Sequence, residues 1–241
     1  MSKEFFSIEE FKNRWAKVRS SMKSSNIELL LVISPTNINY LIGTPAKGYQ
    51  EFEALLFPID SDPMVMMTRR SEVEMMNDYS LADEVYGWGG QEPEDPIDAL
   101  YKLMSEKNLL NKKIGIEVPY YYLHPFEYKK LNEMLGKSIV HISTDLIGEI
   151  KLLKSETELN YVRKASEIAD KSFNAGLKKI KPGITEREIS ANIHYEMFIN
   201  GGDIPSSPMN FLTGDRSMFA HGEPSDKKLE DGDFMHLQFG S

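Results

Sequence analysis

Histidine is the side chain best suited to moving a proton near neutral pH. The sequence holds five of them, His124, His141, His194, His221 and His236, and no cysteine. The absence of thiols excludes disulfide frameworks, thiolate metal sites and cysteine nucleophiles. His124 precedes Pro125 at a helix start, and His141 sits in a strand-like run. His194 lies beside Tyr195 within an amphipathic helical pattern, and His236 alternates with Met235 and Leu237. These four read as structural or surface residues. His221 stands apart because it follows a predicted strand, Met218-Phe219-Ala220, and precedes a predicted turn, Gly222-Glu223-Pro224. A histidine carried from a strand end into a loop-lined space is placed for proton transfer. An ordinary loop histidine satisfies the same spacing. Nearby, Thr213-Gly214-Asp215-Arg216-Ser217 predicts a turn. There Asp215 and Arg216 pair with one another, or Arg216 holds an anionic group, or the segment is plain surface. The stretch that concentrates these residues runs from about Pro205 to Ser241.

The elements that must position these residues follow from capping and periodicity. Ser7-Ile8-Glu9-Glu10 predicts a capping box, with Phe11, Trp15, Val18 and Met22 as the apolar stripe behind it and Asn26 as the stop. Leu29 to Ile33 is a continuous apolar run that suits a strand buried on both faces. Ser34 to Tyr40 reads as a loop. A hairpin is expected from Glu53–Pro58 and Met64–Thr68 around the turn Ile59-Asp60-Ser61-Asp62-Pro63. A helix is expected from Asp95-Pro96 through Met104, a strand from Lys113 to Val118, a helix from His124 to Leu135 and a strand from Ser138 to Ile142. Asp145 opens a short helical connection.

Beyond that point the pattern changes. Ser155 and Thr185 open two more capping boxes. The first leads a helix with Leu159, Val162, Ala165, Ile168, Ala169, Phe173 and Leu177 on one side, broken by Pro182-Gly183. The second leads a helix with Ile189, Ile193, Met197 and Phe198 inward, ended by Gly201-Gly202. Strands are expected over Met209–Thr213, Met218–Ala220 and Phe234–Phe239. The expected fold is therefore an α/β domain over 1–144, a mixed sheet with flanking helices, followed by an α+β domain over 145–241. The last strand ends at Gly240-Ser241 with nothing after it to cover its edge, so this second domain reads as incomplete and the chain as prone to self-association.

Composition sets further bounds. The 241 residues carry a formal net charge of -9, with 41% hydrophobic and 27% charged side chains. That balance fits a globular chain and argues against nucleic acid or an anionic membrane as the main partner. No run approaches the ~20 apolar residues of a membrane span. The first residues show no apolar signal-peptide region, so a cytoplasmic location is expected.

Several segments, taken in order, resemble the prolidase, aminopeptidase P and creatinase superfamily. Ser34-Pro35-Thr36-Asn37-Ile38-Asn39-Tyr40-Leu41-Ile42-Gly43 resembles a segment early in its N-terminal domain. Glu149-Ile150-Lys151-Leu152-Leu153-Lys154-Ser155-Glu156-Thr157-Glu158-Leu159 is similar to its entry into the pita-bread domain. Lys181-Pro182-Gly183-Ile184-Thr185-Glu186 resembles its helix-to-helix turn. His221 with Leu229-Glu230-Asp231-Gly232-Asp233-Phe234 resembles its histidine and following strand. Each motif alone is weak, and the ordered set covers nearly the whole chain.

The resemblance implies a creatinase/prolidase-type domain followed by the first half of a pita-bread domain, and a hydrolase that works as a homodimer. It places His221 beside the active site as the catalytic proton-transfer residue. It also places Gln238 where metallopeptidase members carry their first metal ligand, an aspartate. A neutral amide is a poor substitute for a carboxylate between two divalent cations. The expectation is thus a metal-free, creatinase-like or ectoine-hydrolase-like enzyme that cleaves a C–N bond of a small amino-acid-like molecule or dipeptide, with no cofactor. One alternative is a metal-dependent Xaa-Pro peptidase using manganese, zinc or cobalt with one altered ligand. Another is a non-catalytic pita-bread module that binds peptides, as in a eukaryotic histone chaperone. Creatinase carries an aromatic residue and an arginine for a substrate carboxylate in a loop whose matching positions here hold Glu51 and Glu53. Carboxylates there favour an amine or guanidinium, or else they face solvent on an edge strand. The substrate-binding candidates are Glu51, Glu53 and Arg216.

Overall fold

The computed structural model describes residues 4–44, 51–60, 62–90, 93–204 and 207–240. Ser61, Pro205 and Ser241, which belong to the expected turn and working stretch, lie outside the described residues. The chain divides into two compact units, Met1–Leu153 and Lys154–Ser241.

The first unit is built on a six-stranded sheet in the order β4-β3-β2-β1-β5-β6. The strands are β1 (Leu29–Val32), β2 (Ala54–Pro58), β3 (Val65–Arg69), β4 (Glu84–Trp88), β5 (Ile114–Glu117) and β6 (Ile139–Ser143). β1 pairs antiparallel with β2, and β2 antiparallel with β3. The β3–β4, β1–β5 and β5–β6 pairs are parallel. The expected mixed α/β sheet is therefore present, with the hairpin at β2–β3.

Successive residues of β1 point to opposite faces. Leu29 and Leu31 enter a core with Leu56, Met67, Leu100 and Leu131, under the helices α4 (Pro96–Glu106) and α5 (Pro125–Leu135). Leu30 and Val32 enter a second core with Val18, Met22, Ile38, Phe57 and Met76. That face is covered by α1 (Ile8–Ser24), α2 (Pro35–Ile42), α3 (Val73–Tyr79) and α6 (Leu146–Lys151). Burial on both faces explains why β1 reads as an unbroken apolar run.

Four details differ from the sequence expectation here. Ser34–Tyr40 is not a loop. Pro35 starts α2, where a proline's missing N–H costs nothing, and Gly43 ends it at φ 67°. α3 and β4 fill a stretch where the charged, mixed pattern gave no periodic signal. Arg14, on the buried side of α1, is 3% exposed. Its guanidinium stacks on Phe6, Phe11 and Tyr40 and donates to the Tyr40 carbonyl at 3.1 Å. The expected boundary after residue 144 falls later, because Ile147 of α6 is buried in the second core of the first unit.

The second unit opens with α7 (Glu156–Leu177) and α8 (Glu186–Ile199), each under a complete capping box. A two-stranded antiparallel sheet follows, β7 (Asn210–Thr213) with β8 (Met235–Gln238). Its core gathers Ile189, Ile193, Met209, Phe211 and Leu229. Of the predicted apolar stripe, α7 buries Ile168, with Leu159, Ala165 and Ala169 partly covered, and it also buries Ser172 and Gly176. A Cβ on Gly176 would lie 2.5 Å from the Ile193 side chain, so the two helices meet at glycine. Val162, Phe173, Leu177 and Phe198 stay exposed, Phe173 and Leu177 at the mouth of a cavity shared with Met235 and Leu237 of β8. α7 ends at Leu177, before Pro182-Gly183. Met218–Ala220 is not a strand. Gly214–Met218 forms a 3-10 turn instead.

Candidate functional site

The site begins at the first turn of α8. The Thr185 hydroxyl accepts the Glu188 N–H at 3.2 Å, and the Glu188 carboxylate accepts the Thr185 N–H at 2.9 Å. Glu186 lies between them, and its side chain turns inward with no solvent exposure. Its Oε1 accepts from the Thr213 N–H and hydroxyl, both at 2.8 Å. Its Oε2 accepts from the Ser225 N–H at 2.8 Å, from the Ser225 hydroxyl at 2.6 Å and from Arg216 Nη1. Burial pushes this carboxyl up, but the donors from Ser225, Thr213 and Arg216 outweigh it and hold Glu186 below the usual carboxylate range.

Arg216 is thereby accounted for. Beyond Glu186, it donates from Nη2 to the Glu223 carbonyl at 2.9 Å. The anionic group that Arg216 holds in this structure is the buried Glu186 carboxylate rather than Asp215. Thr213 and Ser225 bracket the segment that carries His221, so one carboxylate pins both of its ends.

His221 is exposed, next to a glycine that is clamped on both sides. The Gly222 N–H donates to Asn210 Oδ1 at 3.1 Å, and the Gly222 carbonyl accepts the Phe211 N–H at 3.1 Å. A Cβ on Gly222 would overlap the buried Leu212 side chain. His221 thus leaves the surface at a fixed point beside β7, although no strand leads to it. His236, on β8, has its Nδ1 3.3 Å from the Phe219 carbonyl. His194 holds its Nδ1 2.9 Å from the Ser190 carbonyl within α8.

Gln238 faces Asn210 in the β7–β8 register. Asn210 Nδ2 donates to Gln238 Oε1 at 3.3 Å. The orientation of both amides follows from the backbone. Gly222 can only donate, so Asn210 presents its oxygen there and its nitrogen to Gln238. Gln238 must then present its own oxygen to Asn210, which turns its Nε2 donors away from that bond. The position expected to hold a metal ligand is therefore a neutral amide bonded to a second neutral amide. Among the described residues no group of three or more His, Cys, Asp or Glu side chains is arranged to hold a metal ion. A neutral amide brings no negative charge to that position, where the resemblance implies a carboxylate between divalent cations.

The other two candidates lie in the first unit. Glu53 does not face solvent. It is 6% exposed, accepts from the Thr68 hydroxyl at 2.7 Å and leaves Oε2 without a partner. Burial, countered in part by Thr68, raises its carboxyl above the usual range. Glu51 is exposed, with Arg69 at 3.4 Å. A third acid, Glu117, escaped sequence reasoning. It is buried at the end of β5, where it accepts from the Ile33 and Ser34 N–H groups at 2.8 Å and from Asn37. Glu186 and Asn210 were missed too. An acid in a helix's first turn signals only a dipole contact, and Asn210 shows its role only once β7 and β8 are in register.

Comparison with known proteins agrees with this architecture. The family described as Creatinase/Prolidase N-terminal domain matches residues 14–150, and Metallopeptidase family M24 matches residues 160–241. An Xaa-Pro dipeptidase of Pyrococcus furiosus is 27% identical over 95% of this chain and 61% of its own length. The Xaa-Pro dipeptidase of Pyrococcus horikoshii is 29% identical over 93% of this chain and 59% of its own. The crystal structure of the prolidase from Pyrococcus horikoshii OT3 superposes with a TM-score of 0.74 at 26% identity, over 93% of this chain and 59% of that one. The chain thus spans less than two thirds of these relatives.

Proposed function

The chain belongs to the creatinase/prolidase N-terminal domain family, and from that premise we propose that the natural protein carrying it hydrolyses a C–N bond of a small amino-acid-like or dipeptide substrate without a resident metal at Gln238. The observation that carries this reading is the Asn210–Gln238 amide pair at 3.3 Å. It substitutes a fixed hydrogen-bond donor for a charged ligand.

The chemistry assigns a role to each group. His221 accepts a proton from water as the water oxygen bonds to the substrate's carbonyl or amidine carbon. It returns that proton to the nitrogen as the C–N bond breaks. The Gln238 Nε2 group donates to the oxygen or nitrogen that gains electron density at that carbon. Glu186 holds the loop ends, and Asn210 holds both Gly222 and the Gln238 amide. We take the working unit to be a homodimer in the cytoplasm. No helix among the described residues is long and apolar enough to cross a membrane.

A second reading, a metal-dependent Xaa-Pro dipeptidase, is favoured by the match to Metallopeptidase family M24 and by the relatives' activity. Metal analysis of the natural protein, combined with hydrolysis of a dipeptide and guanidino-acid panel with and without chelator, separates the two. Turnover that survives chelation, with metal well below one equivalent, supports the metal-free reading. Stoichiometric manganese, zinc or cobalt with chelator-sensitive turnover overturns it.

A further inference from the structure

We infer that the first unit carries a binding cleft for a small organic cation, an alkylated ammonium or a guanidinium, between β4 and the segment that leads into α5. This inference does not rest on the hydrolase reading, because every residue it uses lies within the first unit.

The cleft has a volume of about 940 Å³. Trp88, Tyr121 and Tyr122 supply its aromatic wall, and Glu51, Glu94 and Glu127 supply its charge. No lysine or arginine is among its described lining residues. Trp88 is anchored, since its indole N–H donates to the Phe52 carbonyl at 3.0 Å. Tyr121 is 77% exposed, so its ring is open to a ligand. Tyr122 beside it sits at φ 77°, a conformation that costs a bulky residue energy. The two rings pack edge to face with centroids 6.3 Å apart.

Of the three carboxylates, Glu51 pairs with Arg69 at 3.4 Å, while Glu94 and Glu127 are held by backbone N–H groups. Glu94 accepts the Gly89 N–H at 2.7 Å, and Glu127 accepts the His124 N–H at 2.9 Å. Neither has a cationic partner among the described residues. Of the nearby cations, Arg69 is shared between Glu51 of the cleft and Glu72, Lys130 lies between Asp95 and Asp98, and Arg70 donates to the Gly89 carbonyl at 2.9 Å. His124 takes the Phe126 N–H on its Nδ1 at 3.2 Å, so this nitrogen carries no proton.

Aromatic faces attract cations through their quadrupole, and soft cations shed water most readily. An anionic rim adds long-range attraction and repels acids. Together they select an organic cation over an anion, and over an uncharged molecule of the same shape.

The test uses the full chain labelled with nitrogen-15. Choline, methylguanidine and 3,3-dimethylbutan-1-ol (choline with carbon in place of nitrogen) are titrated while the Trp88 indole N–H is followed by NMR. A Trp15→Phe variant assigns that resonance, because Trp15 lies in a separate environment on the Leu41 carbonyl. Saturable shifts with choline or methylguanidine, absent with the neutral alcohol, are expected, and whichever cation binds more tightly identifies the head group. Tyr121→Ala and Glu94→Gln, both at exposed positions, should each weaken binding about three- to five-fold. Equal shifts from the neutral alcohol, or titrations unchanged in both variants, would overturn the inference. Neither result bears on whether the natural protein hydrolyses a C–N bond.

Discussion

Asn210 donates through Nδ2 to Gln238 Oε1 at 3.3 Å while its own Oδ1 accepts the Gly222 N–H at 3.1 Å. One side chain therefore links the Gln238 amide to the residue after His221. Asn210→Asp keeps the acceptor for Gly222 but converts the donor into an acceptor. The Gln238 amide should then turn over and offer oxygen where it had offered N–H. Turnover should fall by about 10²-fold, the usual cost of losing one donor to a developing charge. Steady-state kinetics on the natural protein, beside a thermal melt that changes little, is the check. An unchanged kcat would remove Gln238 from the mechanism.

His221 is exposed and its side chain has no hydrogen bond among the described residues, so its removal separates chemistry from folding. His221→Ala should lower kcat/KM by about 10²–10⁴-fold. Stability should stay within about 0.5 kcal/mol in urea titrations, as for other exposed substitutions. A variant with near-native turnover would defeat its assignment as the proton carrier.

Glu186 behaves in the opposite way. Glu186→Ala removes the acceptor from buried Thr213 and from half-buried Ser225 and Arg216. The expected loss is about 3 kcal/mol. Glu186→Gln retains the shape and one acceptor and should lose less. Hydrogen exchange along α8 reads the effect locally. Protection equal to the parent chain in Glu186→Ala would show that the buried carboxylate does not hold the loop.

Acid should destabilise the two units differently. Glu186 is held below its unfolded value of about 4.3, so its contribution is present above that value and fades as pH drops through the folded pKa. Glu188 and Asp233 in the same unit shift the same way. Glu53 and Glu117 are raised, both chiefly by burial. Their contribution is complete below the unfolded value and is lost as pH rises through the folded pKa. Asp95 opposes them in the first unit, since bonds from Lys130, Asp98 and Ile97 outweigh its desolvation and lower it. Both tryptophans of the chain, Trp15 and Trp88, lie in the first unit and report on it alone. From about pH 5 to about pH 3, exchange in α8 should accelerate before tryptophan emission changes. The reverse order would contradict the assignment.

Gly222 has no room for a methyl group, because a Cβ there would overlap Leu212, which is itself fully buried. Gly222→Ala should cost about 1–3 kcal/mol through overpacking and shift the NMR resonances of His221. A variant as stable as the parent, with His221 unmoved, would mean that β7 yields at Leu212.

Much of the architecture was legible in the sequence because it is encoded locally. Ser155 and Thr185 each accept a neighbouring N–H three residues on, so their helix starts can be read without knowing what the helices touch. The apolar run at Leu29–Val32 announces a strand covered on both faces. The glycine, proline and acid spacings around Pro182, Gly183 and Gly232 carried the family resemblance, and they marked His221 and Gln238. Tertiary structure decided what is set by long-range pairing. Glu186 looks like any first-turn acid until the fold closes Thr213 and Ser225 over it, 27 and 39 residues away. Arg216 looks available until that acid claims it, and Glu53 looks solvated until Thr68 and the sheet enclose it. The orientation of Gln238 depends on Asn210, 28 residues earlier, and so on strand register. A cap closes within one helical turn and so leaves a mark in the sequence. A buried carboxylate or an oriented amide is defined by donors from distant segments, and only the folded chain brings those donors within bonding distance.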